Sequence, residues 1–192
     1  MPHAPDTGEV MLDEVARGAL APLVRQLHAL QGEITALDIQ ILDWHRNSRT
    51  SQLLESIPGI GLMNATAFAA TLGDGSAFKS GRQPAAWLGL VPRQNSTGGK
   101  TVLGRITKQG DPYLRRLLVL GATSTLRHYA GKGDEDSPSS LTGSYPWAGK
   151  LLEKKSYRLT SVALANKMAR IIWAVLTSGQ PYRAGYVKPV SS

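Results

Sequence analysis

Eight apolar residues, Leu20, Leu23, Leu27, Leu30, Ile34, Leu37, Ile41 and Trp44, follow one another at alternating steps of three and four. An unbroken spacing of that kind is the seam of a coiled coil, with a mean period of about 3.5 residues. It predicts a long helical arm over 10–47. Gly32 lies inside the arm and weakens it by about 1 kcal/mol relative to alanine. A single helix would leave such a seam in water. The pattern therefore calls for a second subunit, another helix of a longer protein, or the chain's own core.

After the arm the pattern is that of short helices. Leu53, Leu54 and Ile57 end a helix at Pro58, and the run Ile57-Pro58-Gly59-Ile60-Gly61 leads into an Ala-rich helix over 63–72 with Gly73 as its cap. Ser80 is placed to cap a helix reaching Leu88. Residues 91–104 read as a polar, glycine-bearing loop. Asp111 and Pro112 read as N-cap and first residue of a strong helix over 113–129. Residues 131–146, with Asp134-Glu135-Asp136, read as an exposed loop. Two more helices follow, over 147–155 and 159–176, the last stopped by Ser178-Gly179-Gln180-Pro181. No alternating strand pattern and no internal repeat is present.

The expected fold is mainly α: a long N-terminal coiled-coil-type helix, then a compact helical domain containing a helix-hairpin-helix. The expected segments are a disordered terminus over 1–9, the arm over 10–47, the compact domain over 48–183 and a tail over 184–192.

Charge narrows the function. The 192 residues carry a formal net charge of +8, which suggests a polyanionic partner, nucleic acid being the commonest. The charge is segregated. Residues 1–50 hold four Lys/Arg against seven Asp/Glu, residues 92–116 six against one, and residues 150–183 seven against one. The absence of cysteine excludes disulfides, thiolate zinc sites and cysteine nucleophiles. The N-terminus lacks a signal-peptide pattern, and no apolar run approaches the roughly 20 residues of a membrane span. The expected location is cytoplasmic. His3, His28, His45 and His128 show no metal-ligand spacing, and the acidic clusters read as solvated surface, so no metal site is expected of this chain by itself.

Two segments could carry the partner. Glycines at 59 and 61 flank Ile60 between two helices, so their amides could approach a DNA phosphate. A tight helix–helix connector would use the same residues. The second segment is 93–116. Here Arg93, Lys100, Arg105, Lys108, Arg115 and Arg116 surround Gln94-Asn95-Ser96-Thr97-Gly98-Gly99. Cations around a flexible hydroxyl-rich loop could hold a phosphodiester. They could also stabilise the transition state of attack on phosphorus by a hydroxyl. A loop that only binds phosphate is the other reading.

The motifs occur in a recognisable order. Leu54-Glu55-Ser56-Ile57-Pro58-Gly59-Ile60-Gly61 comes first, then Phe78-Lys79-Ser80-Gly81-Arg82-Gln83 and Ala86-Trp87-Leu88-Gly89-Leu90-Val91-Pro92-Arg93. Ser96-Thr97-Gly98-Gly99-Lys100, Lys108-Gln109-Gly110-Asp111, Leu114-Arg115-Arg116 and the run from Ala163 to Trp173 complete the series. Over about 50–183 the chain closely resembles the C-terminal transposase domain of the DEDD insertion-sequence transposases, RNA-guided recombinases with a RuvC-like N-terminal domain. The heptad arm resembles the end of that family's connecting coiled coil.

The resemblance implies a serine nucleophile that forms a covalent phosphoserine link to DNA. It also implies a RuvC-like domain of another subunit that brings acidic residues and Mg²⁺, and a guide RNA that selects the sites. The nucleophile maps onto the Ser96-Thr97 pair, Ser96 counting back from Lys108 and Thr97 counting forward from Pro92. Ser96 is taken because the family uses serine. Arg93, Lys100, Arg105, Lys108, Arg115 and Arg116 would hold phosphates, and the arm would join copies into a homo-oligomer. No acidic tetrad is found in these 192 residues, so the resemblance leaves the RuvC-like part and its Mg²⁺ to be supplied from outside this sequence.

Overall fold

A computed structural model describes residues 13–95, 103–130 and 144–184. The described part is mainly α, as the periodicity requires. The order of elements is α1 (Glu14–Asn47), α2 (Arg49–Glu55), α3 (Leu62–Leu72), α4 (Arg82–Trp87), β1 (Pro92–Gln94), β2 (Leu103–Ile106), α5 (Pro112–Ala130), α6 (Pro146–Leu152) and α7 (Tyr157–Ser178).

The chain divides into two compact units, one up to Ile41 and one from Leu42 onward. In the first, α1 exposes the middle of its seam: Leu23, Leu27, Leu30, Ile34 and Leu37 are each at least 55% exposed. At the C-terminal end of α1, within the second unit, buried His45 is held on both ring nitrogens. Its Nδ1 pairs with Ser51 Oγ at 2.8 Å and its Nε2 with Glu55 Oε2 at 3.0 Å, which ties the end of α1 to α2.

The second unit is built on α5 and α7, which pack along each other, with α2, α3, α4 and α6 arranged around them. Its core contains Leu54, Phe68, Leu88, Leu114, Leu118, Leu164, Met168 and Ile172, all fully buried. By length and composition α7 could cross a bilayer, but its apolar side lines this core, and 44% of its most apolar window is buried. Its indole at Trp173 donates to the Phe78 carbonyl at 3.0 Å and fixes the loop before α4.

The start of α5 follows the sequence reading. Asp111 Oδ1 accepts from the amides of Tyr113 at 2.7 Å and Leu114 at 3.1 Å, satisfying two of the helix's free donors. Asp111→Ala is expected to cost about 1 kcal/mol, and Asp111→Asn much less; thermal melts of the two variants check this.

Two local expectations need correction. The cap of α4 is Gly81, not Ser80, and it makes no side-chain bond. The Gln83 side chain instead reaches back to the Lys79 amide at 2.6 Å, leaving Ser80 to contribute only its carbonyl to the Gln83 amide. The polar stretch 91–104 is not wholly loop: β1 and β2 form an antiparallel pair with Pro92 opposite Ile106 and Gln94 opposite Leu103. Both strands are exposed on both faces apart from Ile106, so no buried side imposes an alternating apolar pattern.

Candidate nucleic-acid interface

The β-hairpin stands on a braced base. Two backbone segments, 87–91 and 107–110, run against each other there. The amide of Thr107 donates to Val91 O at 2.9 Å and that of Lys108 to Gly89 O at 3.1 Å. The approach leaves no room for side chains: a Cβ on Gly89 would strike the Gln109 backbone, and one on Gly110 would strike the Trp87 carbonyl. Both glycines have positive φ, 68° and 76°. Lys108 also adopts a left-handed conformation, φ 57°, at a cost of roughly 1–2 kcal/mol for a residue with a Cβ. From α7, the Asn166 amide donates to Leu90 O at 3.2 Å and ties the hairpin base to that helix.

Between hairpin and helix lies a groove of about 1210 Å³. Five cations line it: Arg105 and Lys108 from the hairpin side, and Arg158, Lys167 and Arg170 from α7. No acidic residue lines it, and no carboxylate among the described residues pairs with these cations. Much of the remaining lining is apolar, with Leu90, Pro92, Trp147, Leu159 and Val162. Residues 158, 162, 166 and 170 form one row of α7 at steps of four, and 159, 163 and 167 form the next, so the helix presents a single face to the groove. Such an arrangement can receive a chain of negative charge that also carries apolar surface.

The residues singled out from sequence separate into groups. Arg105 and Lys108 line the groove. Arg93 is exposed on β1, and its Nη2 donates to Thr107 O at 3.3 Å across the hairpin base. Arg115 turns inward: its Nη1 donates to Leu88 O and to Gln109 O, each at 3.0 Å, so it braces the segments that carry the hairpin. Arg116 is exposed on α5 and is not among the groove's lining residues. Ser96, Thr97 and Lys100 lie outside the described residues, as does the acidic run Asp134-Glu135-Asp136.

Sequence reasoning missed Arg158, Lys167 and Arg170. The surplus of Lys and Arg over 150–183 was visible, but the helix was read only for its apolar side. The available signal was the step of four that joins 158, 162, 166 and 170.

Gly59 and Gly61 line a separate, smaller pocket of about 510 Å³ with Asn64, Leu120, Gly121 and Thr125. Gly59 has φ 87°, and a Cβ there would strike Thr125 Oγ1 and approach Gly121 O at 3.1 Å. The turn thus packs backbone against backbone on α5, a role that requires glycine whatever it binds. Tyr145 holds the same turn through a hydroxyl donated to Pro58 O at 3.2 Å. Burial raises the Tyr145 phenol well above its ordinary range, so it stays a donor at physiological pH. Gly61, the residue preceding α3, is open to solvent.

Among the described residues no group of three or more His, Cys, Asp or Glu side chains is placed to hold a metal ion. These residues therefore do not fit the Mg²⁺ site implied by the sequence resemblance.

Comparison with known proteins agrees with the order of motifs. The chain is 45% identical over 166 residues to the "Probable family 20 transposase" of Pseudomonas aeruginosa, a match covering 86% of this chain and 47% of the relative. It is 38% identical to the transposase for insertion sequence element IS1111A of Coxiella burnetii, over 92% of this chain and 48% of the relative. It is also 38% identical to the transposase for insertion sequence element IS1328 of Yersinia enterocolitica, over 83% of this chain and 47% of the relative. The chain spans about half the length of these curated relatives. Residues 51–136, a span that takes in the Pro58–Gly61 turn, both hairpin strands and α5, are similar to the Transposase IS116/IS110/IS902 family.

Proposed function

We propose that this chain is the DNA-handling part of an insertion-sequence transposase, and that the cationic groove between the β-hairpin and α7 receives a nucleic-acid strand. The observation that carries the reading is the convergence of Arg105, Lys108, Arg158, Lys167 and Arg170 on one acid-free groove. Phosphate contacts of this kind supply most of the affinity of a DNA-binding surface and fix its register.

Ser96 follows β1 directly in the sequence, and the reading gives it the chemical step. In the proposed step the Ser96 Oγ attacks phosphorus. An Oγ–P bond forms, one P–O bond to a sugar breaks, and the hydroxyl proton ends on the released sugar oxygen. Thr97 is the alternative nucleophile. Arg93, Lys100 and Arg116 are the further candidates for phosphate contacts, while Arg115 keeps the hairpin base in place. The open N-terminus of α3 at Gly61, with the Gly59 turn before it, takes a single backbone phosphate. Mg²⁺ belongs to a RuvC-like domain supplied by another part or subunit. A guide RNA selects the sites, and the exposed seam of α1 joins copies. A non-catalytic nucleic-acid-binding module, which would use the same cationic groove, is the second reading.

The test is a covalent adduct. Labelled DNA, incubated with the chain and with a full-length relative that supplies the remaining half, is expected to yield an adduct that survives denaturing electrophoresis. Ser96→Ala is expected to abolish the adduct formed on this chain while leaving DNA binding within twofold. An adduct that persists in Ser96→Ala but is lost in Thr97→Ala transfers the role to Thr97. Normal DNA binding with no adduct in any variant leaves the non-catalytic module.

A further inference from the structure

The groove holds more hydrocarbon than phosphate binding requires. A duplex presents phosphates and sugars on its outside, and contacts to them come from cations, hydroxyls and amides. Here the five cations share the groove's lining with Leu90, Pro92, Leu103, Trp147, Leu159 and Val162. Leu159 is 49% exposed and Leu103 59% exposed. Exposed apolar surface rimmed by charge marks a binding site for something that is itself partly apolar. The apolar surface of a nucleic acid is the face of its bases, and the duplex hides those faces in its stack. Only unpaired nucleotides offer phosphate and base face together. Grooves that join a charged track to an aromatic or aliphatic platform take single strands in this way.

We infer that the groove accommodates unpaired DNA, with backbone phosphates on Arg105, Lys108, Arg158, Lys167 and Arg170 and bases against the apolar lining of Trp147, Leu159 and Val162. This rests on the reading of the groove as a nucleic-acid interface and adds the kind of strand it takes. DNA is assigned over RNA because recognising RNA calls for polar groups that meet the 2′-hydroxyl. Among the lining side chains the only amide or hydroxyl groups are those of Asn166, one amide hydrogen of which goes to Leu90 O, and Ser156, few for reading a 2′-hydroxyl along a strand.

Fluorescence anisotropy with the full chain and a labelled, unpaired DNA of about 20 nucleotides tests the assignment. Its comparators are the blunt duplex of the same sequence, an abasic strand of equal length and the matching RNA. The unpaired DNA is expected to bind about tenfold tighter than the duplex and about tenfold tighter than the abasic strand, as loss of base stacking implies. The RNA is expected to bind no tighter than the DNA. Leu159→Gln changes a half-exposed side chain and leaves the core intact. It is expected to weaken the unpaired strand several-fold while leaving the duplex within twofold. Trp147→Leu is expected to act in the same direction, with a melting curve as its check on folding.

Equal affinity for unpaired, abasic and duplex DNA would overturn the assignment and leave a surface that reads backbone alone. Tenfold tighter binding of RNA would overturn the choice of DNA. Failure to bind any of the four would instead remove the functional reading beneath it.

Discussion

Gly110→Ala should lower the melting temperature by about 10 °C or more, while Gly179→Ala, an identical substitution at a similar backbone angle, should lower it by only a few degrees. The two glycines have φ of 76° and 63°, so each substitution carries the same left-handed penalty, about 1–2 kcal/mol. They differ in their surroundings. Gly179 ends α7 with nothing within 4 Å of the added Cβ, whereas at Gly110 the Cβ would strike the carbonyl of Trp87. Backbone cannot rotate aside as a side chain does, so the two segments under the hairpin must part. Parting them costs the bonds from Lys108 N to Gly89 O and from Arg115 to Leu88 O and Gln109 O, each worth about 1 kcal/mol net and more where a charged donor is left unpaired. The excess over the control is therefore expected at about 3 kcal/mol. Thermal unfolding followed by circular dichroism reads it directly, and equal shifts for the two variants would mean that the close approach at Gly110 does not hold the hairpin base. Nucleic-acid affinity should fall with it, since Arg105 and Lys108 reach the groove only if that base is intact.

The same region shows what a sequence can disclose. The seam of α1, the cap at Asp111 and the stop at Gly179 were legible because each rests on residues close in the chain that answer to a local rule. The β-hairpin was not, because strands exposed on both faces need no alternation of apolar and polar residues. Arg115 reads as a phosphate ligand beside Arg116. The structure adds a hydrogen bond to Leu88 O, 27 residues away, and no spacing rule reaches that far. The glycine pair of the Pro58–Gly61 turn was legible as a turn. That Gly59 also lies against Gly121 of α5 depends on tertiary packing. The candidate site was half legible for a related reason. Charge density marked both 92–116 and 150–183, but only the fold brings the hairpin and α7 to opposite sides of one groove. The helical step that aligns Arg158, Asn166 and Arg170 was present throughout, obscured because the apolar face of α7 dominates its composition.

That convergence has a second consequence of large size, in the response to salt. If the five groove cations each displace a counterion from an unpaired strand, they should contribute about −3.5 to the slope of the logarithm of the affinity against the logarithm of salt concentration, taking roughly 0.7 per phosphate contact. Between 50 and 200 mM salt that share alone is a loss of roughly a hundredfold in affinity. Replacing Arg158, Lys167 and Arg170 together by alanine leaves Arg105 and Lys108 in the groove, and its share of the slope should fall to about −1.4, a loss of only about sevenfold over the same range. The three side chains are exposed on α7 and form no described ion pair, so their removal should leave the melting temperature within a few degrees of wild type. Arg127→Ala, which removes an exposed cation of α5 outside the groove, should keep the wild-type slope. The comparison separates a groove from a diffuse field. If the basic charge acted only through the chain's overall +8, any three cations would serve equally, and Arg127→Ala would shift the slope as much as each groove residue does. A slope that follows the residues of α7 and ignores Arg127 is what a strand seated against that helix requires.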